Sequence, residues 1–181
     1  IRARGGEVLR EAPEEGAVIW ATGVTGLEDM SEQAGRMVGV GVKGQAALLR
    51  FDAQWLPQVF AGGVHIVPHA DGTVAIGSTS ERDYDSLRVD AQLEDVIAAA
   101  RAAMPVLAEA AVIERWAGVR PRAKSRAPML GAWPGKPGQY IANGGFKIGF
   151  GMGPKVGQVM AELVLEGQDS IPEGFRADAI L

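Results

Sequence analysis

Apolar positions change texture along the chain. Ala17-Val18-Ile19-Trp20-Ala21 is a continuous apolar run of strand length, the pattern of a buried parallel strand. It ends in Thr22-Gly23, with Gly26 just beyond. On spacing alone that end is either a plain strand-to-loop turn or the edge of a dinucleotide site in a Rossmann-like sheet. Residues 2–10 read as a helix tail, Gly5-Gly6 and a short strand.

From Val38 to Phe51, β-branched and apolar residues are broken by Gly39, Gly41 and Gly44, which predicts a strand region. Val64-His65-Ile66-Val67-Pro68 and Thr73-Val74-Ala75-Ile76-Gly77 flank Asp71-Gly72, a strong hairpin signal. Asp90 caps a predicted helix to about Met104, with Leu93, Val96, Ile97 and Ala100 at helical spacing and Pro105 as the stop. Residues 111–116 read as a further strand, so the middle of the chain is an antiparallel sheet carrying one helix. That is a different layer from the first thirty residues. A last helix is expected from about Pro154 to Glu166, where Val156, Val159, Met160, Leu163 and Val164 form an apolar stripe before Gly167. Residues 168–181 form a polar tail.

With 181 residues, 47% hydrophobic and 22% charged, the chain has ordinary globular composition. A net charge of −4 without a long basic run argues against a nucleic-acid partner. The absence of cysteine excludes disulfides, thiolate metal sites and a cysteine nucleophile. No apolar run has the length of a membrane span, and no signal peptide heads the chain, so a cytoplasmic, bacterial protein is expected. The chain starts at Ile1 and reads as a piece of something longer.

Candidate chemistry gathers between Trp116 and Gly153. Arg120 sits in a Gly118-Val119-Arg120-Pro121 frame, and the proline pushes its backbone toward extended geometry at an expected strand end. A guanidinium placed there suits a carboxylate, through two parallel hydrogen bonds. Gly144, Gly145, Gly149, Gly151 and Gly153 allow a ligand to approach the backbone closely, and the helix that follows offers free N–H groups to an electron-rich atom. Arg122, Lys124 and Arg126 read as a solvated charged edge. His65 and His69 share a strand face without a third ligand nearby, so His65 is read as a cleft-lining hydrogen-bonding group and no metal site is expected. Ser78-Thr79-Ser80-Glu81 offers hydroxyls but no histidine relay, and no pair of carboxylates has a glycosidase pattern.

The ordered series Val18–Gly23, Val42-Lys43-Gly44-Gln45, Val64–Pro68, Asp71-Gly72, Ile76–Thr79, Trp116–Pro121, Ala127–Gly131 and Gly144–Gly149 resembles the FAD-dependent D-amino acid oxidase family over roughly residues 15–167. Glycine oxidase and the D-amino acid dehydrogenases are the nearest types. The resemblance implies an α/β plus α+β fold: the remnant of an FAD-binding Rossmann-like domain with an antiparallel-sheet substrate domain. The family's Gly-x-Gly-x-x-Gly pyrophosphate loop is not found, so the N-terminal dinucleotide half is read as absent. The implied divisions are residues 1–37 as the end of the FAD-binding domain, 38–118 as the substrate sheet, 119–167 as the return segment and 168–181 as the tail.

By the same resemblance Arg120 pairs with the substrate carboxylate, and His65 and Lys147 stand near the substrate. Thr22 and Gly23 line the dinucleotide, while Gly145, Phe146, Lys147, Ile148, Gly149, Phe150 and Gly151 lie against the flavin. No catalytic side chain is assigned. The implied reaction oxidises the CH–NH bond of a small amino acid (glycine, N-methylglycine or a D-amino acid) by hydride transfer to flavin N5. The implied partners are that substrate and either further copies of the chain or the missing N-terminal half. The sequence departs from the family around the substrate: His65 replaces a tyrosine, Gly144-Gly145 a Gly-His, Lys147 an arginine, and Ser125-Arg126 an Asp-Gly. Two other readings stay open here, a flavoenzyme acting on a different substrate and a non-catalytic subunit that kept the fold.

Overall fold

The structure is a computed structural model and describes all 181 residues. In chain order its elements are β1 (Val18–Trp20), α1 (Gly23–Ala34), β2 (Gly39–Arg50), β3 (Val59–Ala61), β4 (Val64–Pro68), β5 (Thr73–Gly77), α2 (Gln92–Ala103), β6 (Ala111–Ala123), β7 (Met129–Ala132), β8 (Gln139–Asn143) and α3 (Gly149–Ala161). They form two compact units, one of residues 1–39 with 123–181, the other of residues 40–122.

The first unit is an α/β layer. Its three-stranded sheet has the order β1-β8-β7, with β1 parallel to β8 and β7 antiparallel to β8. Leu27 and Met30 of α1 pack with Val38, Ala123, Met129 and Ile141 in one core. Val159 and Met160 of α3 pack with Leu130 and Ile171 in another. Residues 2–10 contain only a short 3₁₀ turn at Arg2–Arg4 and no strand, which corrects the expectation for that segment. Helix α1 was not foreseen because glycines at 23 and 26 hide its short apolar stripe of Leu27, Met30 and Ala34. Helix α3 starts at Gly149 rather than at Pro154, which lies inside it. The proline removes a backbone donor in the second turn, and the residue before it, Gly153, carries no Cβ for its ring to meet. At its far end a π-helical turn over Glu162–Glu166 runs into Gly167, whose left-handed φ of 68° ends it.

The second unit is a five-stranded antiparallel sheet with one face on α2, in the order β3-β4-β5-β2-β6. The Asp71 carboxylate accepts the Thr73 N–H at 3.1 Å, and Gly72 takes φ 81°, which builds the β4–β5 turn read from Asp71-Gly72. Side chains alternate as a pleated sheet requires. Ala47, Leu49, Val64, Ile66, Val74 and Ile76 face Leu93, Val96, Ile97 and Ala100 of α2. Strand β6 runs on through Pro121 to Ala123, so Arg120 lies inside a strand and not at its end. As the sheet's edge strand, β6 accommodates the missing proline N–H.

Candidate functional site

In the second unit, the sheet face opposite α2 has a graded row. Phe60 pairs with His65, His65 with Gly77, and Gly77 with Ala46, so all four point to that face. Phe60 and His65 stack with ring centroids 4.5 Å apart, and Gln58 Nε2 lies 3.2 Å from His65 Nδ1. Gly77 and Ala46 keep the middle of the row low. Beyond them Gly44, on the same side as Ala46, leaves the space in which the Arg120 guanidinium lies; a Cβ on Gly44 would run into it. The row is thus aromatic at one end, cationic at the other and small between. From His65 on β4 to Ala46 on β2 is two strand spacings, about 10 Å, and Gly44 lies two residues further along β2.

Arg120 is held by neutral oxygens. Its two terminal nitrogens donate to the Ser78 hydroxyl and, at 3.4 Å, to the Thr79 carbonyl. Half-buried, it forms no ion pair with any carboxylate of the chain. Burial pulls its pKa below the ordinary value, with the Glu81 carboxylate acting in the opposite direction. A guanidinium stays protonated in proteins, so Arg120 is a cation with donor capacity to spare. Sequence reasoning found Arg120 but missed Ser78 and Thr79 as its holders and Gly44 as its berth. A glycine in mid-strand is the signal that was available, since it often marks a close approach.

On the α2 side of the same strands lies a buried polar cluster. The Lys43 ammonium, 2% exposed, sits 3.1 Å from Glu81 and 3.0 Å from Asp90. Gln45 Nε2 donates to Glu81 at 3.0 Å and to Asp90 at 2.9 Å, and the Asp90 N–H donates to Gln45 Oε1 at 2.8 Å. Asp90 also accepts the Gln92 N–H at the start of α2. Burial acts to lower the Lys43 pKa, but its hydrogen bonds to Asp90 and Glu81 prevail and raise it. The Gln45 amide, then Lys43 and the Gln92 N–H, hold Asp90 at about 2, below its ordinary 3.8. A carboxylate depressed on folding stabilises the fold above its unfolded value and loses that effect as pH falls through its folded one. Thermal stability, followed by circular dichroism, should therefore fall as pH drops from about 4 to about 2. Asp90→Asn should be less stable at neutral pH and flatter over that window; an unchanged slope would remove Asp90 from the acid response.

In the first unit, the parallel strands β1 and β8 both end at helix N-termini, the place where open α/β sheets bind ligands. Asn143, 7% exposed, ties the two ends together. Its amide donates to the Gly23 carbonyl at 2.9 Å, and its side-chain oxygen accepts the Gly144 N–H at 2.7 Å. Thr22-Gly23 and Gly144-Gly145 are thereby brought into one locality, and Asn143 was not singled out from sequence. Gly144 takes φ 73°, and a Cβ there would stand 2.6 Å from that of Ala123. Phe146 takes a left-handed φ of 47°, a strained conformation of the kind that clusters at functional sites. Lys147 is exposed, with its ammonium 5.7 Å from the Phe146 ring, Ile148 is half exposed, and Phe150 is fully exposed.

The family profile described as DAO, FAD dependent oxidoreductase, matches residues 1–163. The chain belongs to this family. DAO-family relatives include the glycine oxidase of Pseudomonas aeruginosa, 34% identical over 134 residues, 73% of this chain and 36% of that protein. The glycine oxidase of Pseudomonas putida is 33% identical over 141 residues, 74% of this chain and 39% of that protein. Among solved DAO-type structures, glycine oxidase from Geobacillus kaustophilus matches with a TM-score of 0.78 and 27% identity, over 89% of this chain and 45% of that one. Iminodiacetate oxidase from Chelativorans sp. BNC1 matches with a TM-score of 0.76 and 27% identity, over 91% of this chain and 46% of that one. The chain spans less than half the length of these relatives. The fold expected from the resemblance, an α/β layer with an antiparallel substrate-type sheet, is the DAO fold, and FAD is the cofactor of this family. No helix is long and apolar enough to cross a membrane.

Proposed function

We propose that this chain is the substrate-binding portion of a cytoplasmic FAD-dependent oxidase or dehydrogenase that oxidises the CH–NH bond of a small amino acid. The observation that carries the reading is Arg120: a half-buried cation without a carboxylate partner, placed by Gly44, Ser78 and Thr79 at one end of a shallow row on an open sheet face. A carboxylate is the ligand that satisfies it best. With its carboxylate there, a substrate the size of glycine, N-methylglycine or D-alanine spans the low ground of Ala46 and Gly77 toward His65. His65 and Lys147 are assigned to the substrate side. The chain acts within a longer protein that supplies the pyrophosphate-binding loop.

The glycine stretch fits a flat ring lying on backbone. Gly145 has no room for a side chain, since its Cβ would stand 2.8 Å from Gly149 Cα, while Gly149 and Gly151 leave open the space a Cβ would fill. Thr22, Gly23 and residues 145–151 are the groups that would hold FAD. When bound, FAD supplies the acceptor for the hydride leaving the substrate Cα. The chain's own residues orient the substrate through Arg120 and exclude competing poses, and no side chain need take a proton from a neutral amine.

The deciding experiment is anaerobic titration of the full-length flavoprotein with glycine, sarcosine, iminodiacetate, D-alanine, D-proline and the L-amino acids, read as bleaching of flavin absorbance. Bleaching by a glycine-type or D-amino acid is expected. Bound flavin that none of them bleaches would overturn the amino-acid reading. Gly44→Ala is expected to crowd the guanidinium and raise KM about tenfold with kcat nearly unchanged, since overpacking costs on the order of 1–3 kcal/mol. Steady-state kinetics check this, and an unchanged KM would show that Arg120 needs no such space.

A further inference from the structure

Arg120 is held from beneath the sheet as well as from above. Ser78 and Thr79, which receive its donors, follow β5 and are fastened to β2 by bonds that converge on Glu81. The Glu81 backbone exchanges two 2.9 Å hydrogen bonds with Lys43. Its carboxylate, in a residue 8% exposed, accepts the Thr79 hydroxyl and the Gln45 amide and pairs with Lys43. The Thr79 hydroxyl in turn accepts the Gln45 N–H at 2.8 Å, and the Thr79 N–H reaches the Gln45 carbonyl at 3.3 Å. Thr79 is thus gripped on its side chain and its amide, leaving its carbonyl to Arg120.

We infer that Glu81 is a positioning residue for Arg120: it anchors the Ser78–Thr79 segment that aims the guanidinium and answers its charge from a distance, leaving donors free for a carboxylate. This rests on the reading of Arg120 as the substrate's carboxylate anchor. A direct carboxylate partner for Arg120 would have to be displaced at every binding event. A countercharge spent on Lys43, Gln45 and Thr79 supports the cation without competing for it.

The test uses the full-length flavoprotein and acetate, with flavin absorbance as the readout of binding. Glu81→Gln keeps the shape and an acceptor but drops the charge; Ser78→Ala removes only a hydroxyl that touches Arg120. Each is measured alone and combined with R120M. Each single variant is expected to weaken acetate binding about tenfold, the scale of one charge-assisted hydrogen bond, and to raise the amino-acid KM with little change in kcat. Combined with R120M, neither is expected to weaken acetate further. Equal losses in both backgrounds, or no loss in either, overturn the inference. Should E81Q fail to fold, T79V, which removes the hydroxyl through which Glu81 grips the segment, decides by the same comparison. If R120M itself binds acetate like the wild type, the carboxylate-anchor reading falls, and this inference with it. That signature differs from silent S78A and E81Q variants beside a damaged R120M.

Discussion

Arg120→Met in the full-length flavoprotein is expected to lower kcat/KM for the amino acid by about 2–4 kcal/mol, roughly 30- to 800-fold. The surroundings of the side chain set this scale. Its present partners are a hydroxyl and a carbonyl, so the variant breaks no internal ion pair and should fold. What it removes is the fork that would bind a carboxylate in two places. Arg120→Lys should recover only part of the loss, because an ammonium keeps the charge without the planar pair of donors. Initial-rate kinetics on both variants would settle the matter, and an R120M protein with wild-type kcat/KM would end the assignment.

Gly144→Val is expected to destabilise the first unit by about 2–6 kcal/mol and to weaken flavin retention. Two penalties combine. The residue takes φ 73°, which a β-branched side chain adopts only with strain on the order of 1–3 kcal/mol. The new Cβ would also stand 2.6 Å from that of Ala123 and 3.1 Å from the Ala123 nitrogen, an overpacking of similar scale. Because the Gly144 N–H is held by Asn143, the displaced loop would pull on the Thr22-Gly23 end as well. Denaturant unfolding and the flavin content of the purified protein check both parts; a variant with wild-type stability and full flavin would contradict them.

The β4–β5 hairpin and helix α2 were legible because local chemistry dictates them: an Asp-Gly turn in one, and a capping aspartate with apolar residues at helical spacing in the other. Asp90 does more than cap, since the same carboxylate takes Lys43 and Gln45 from a strand some forty-five residues away. That role exists only after the sheet has formed. Helix α1 and strand β3 were not legible. The first begins on glycine without a side-chain cap, and the second is three residues long and defined by its partner. Ser78 and Thr79 read only as hydroxyls without a histidine relay, because their contact with Arg120 spans more than forty residues of chain. Arg120 itself stood out for its Gly/Pro frame, although β6 continues past it. The family was readable as an ordered series of short motifs, none informative alone.

The first unit is interrupted: the chain leaves it after Gly39 and returns at Ala123. The two crossing points are neighbours, since the Lys124 N–H donates to the Val38 carbonyl at 2.8 Å. An inserted segment whose ends meet can be exchanged with little disturbance to its host. Two recombination points, at Val38 and Lys124, would graft a relative's five-stranded sheet onto this α/β layer as one cassette.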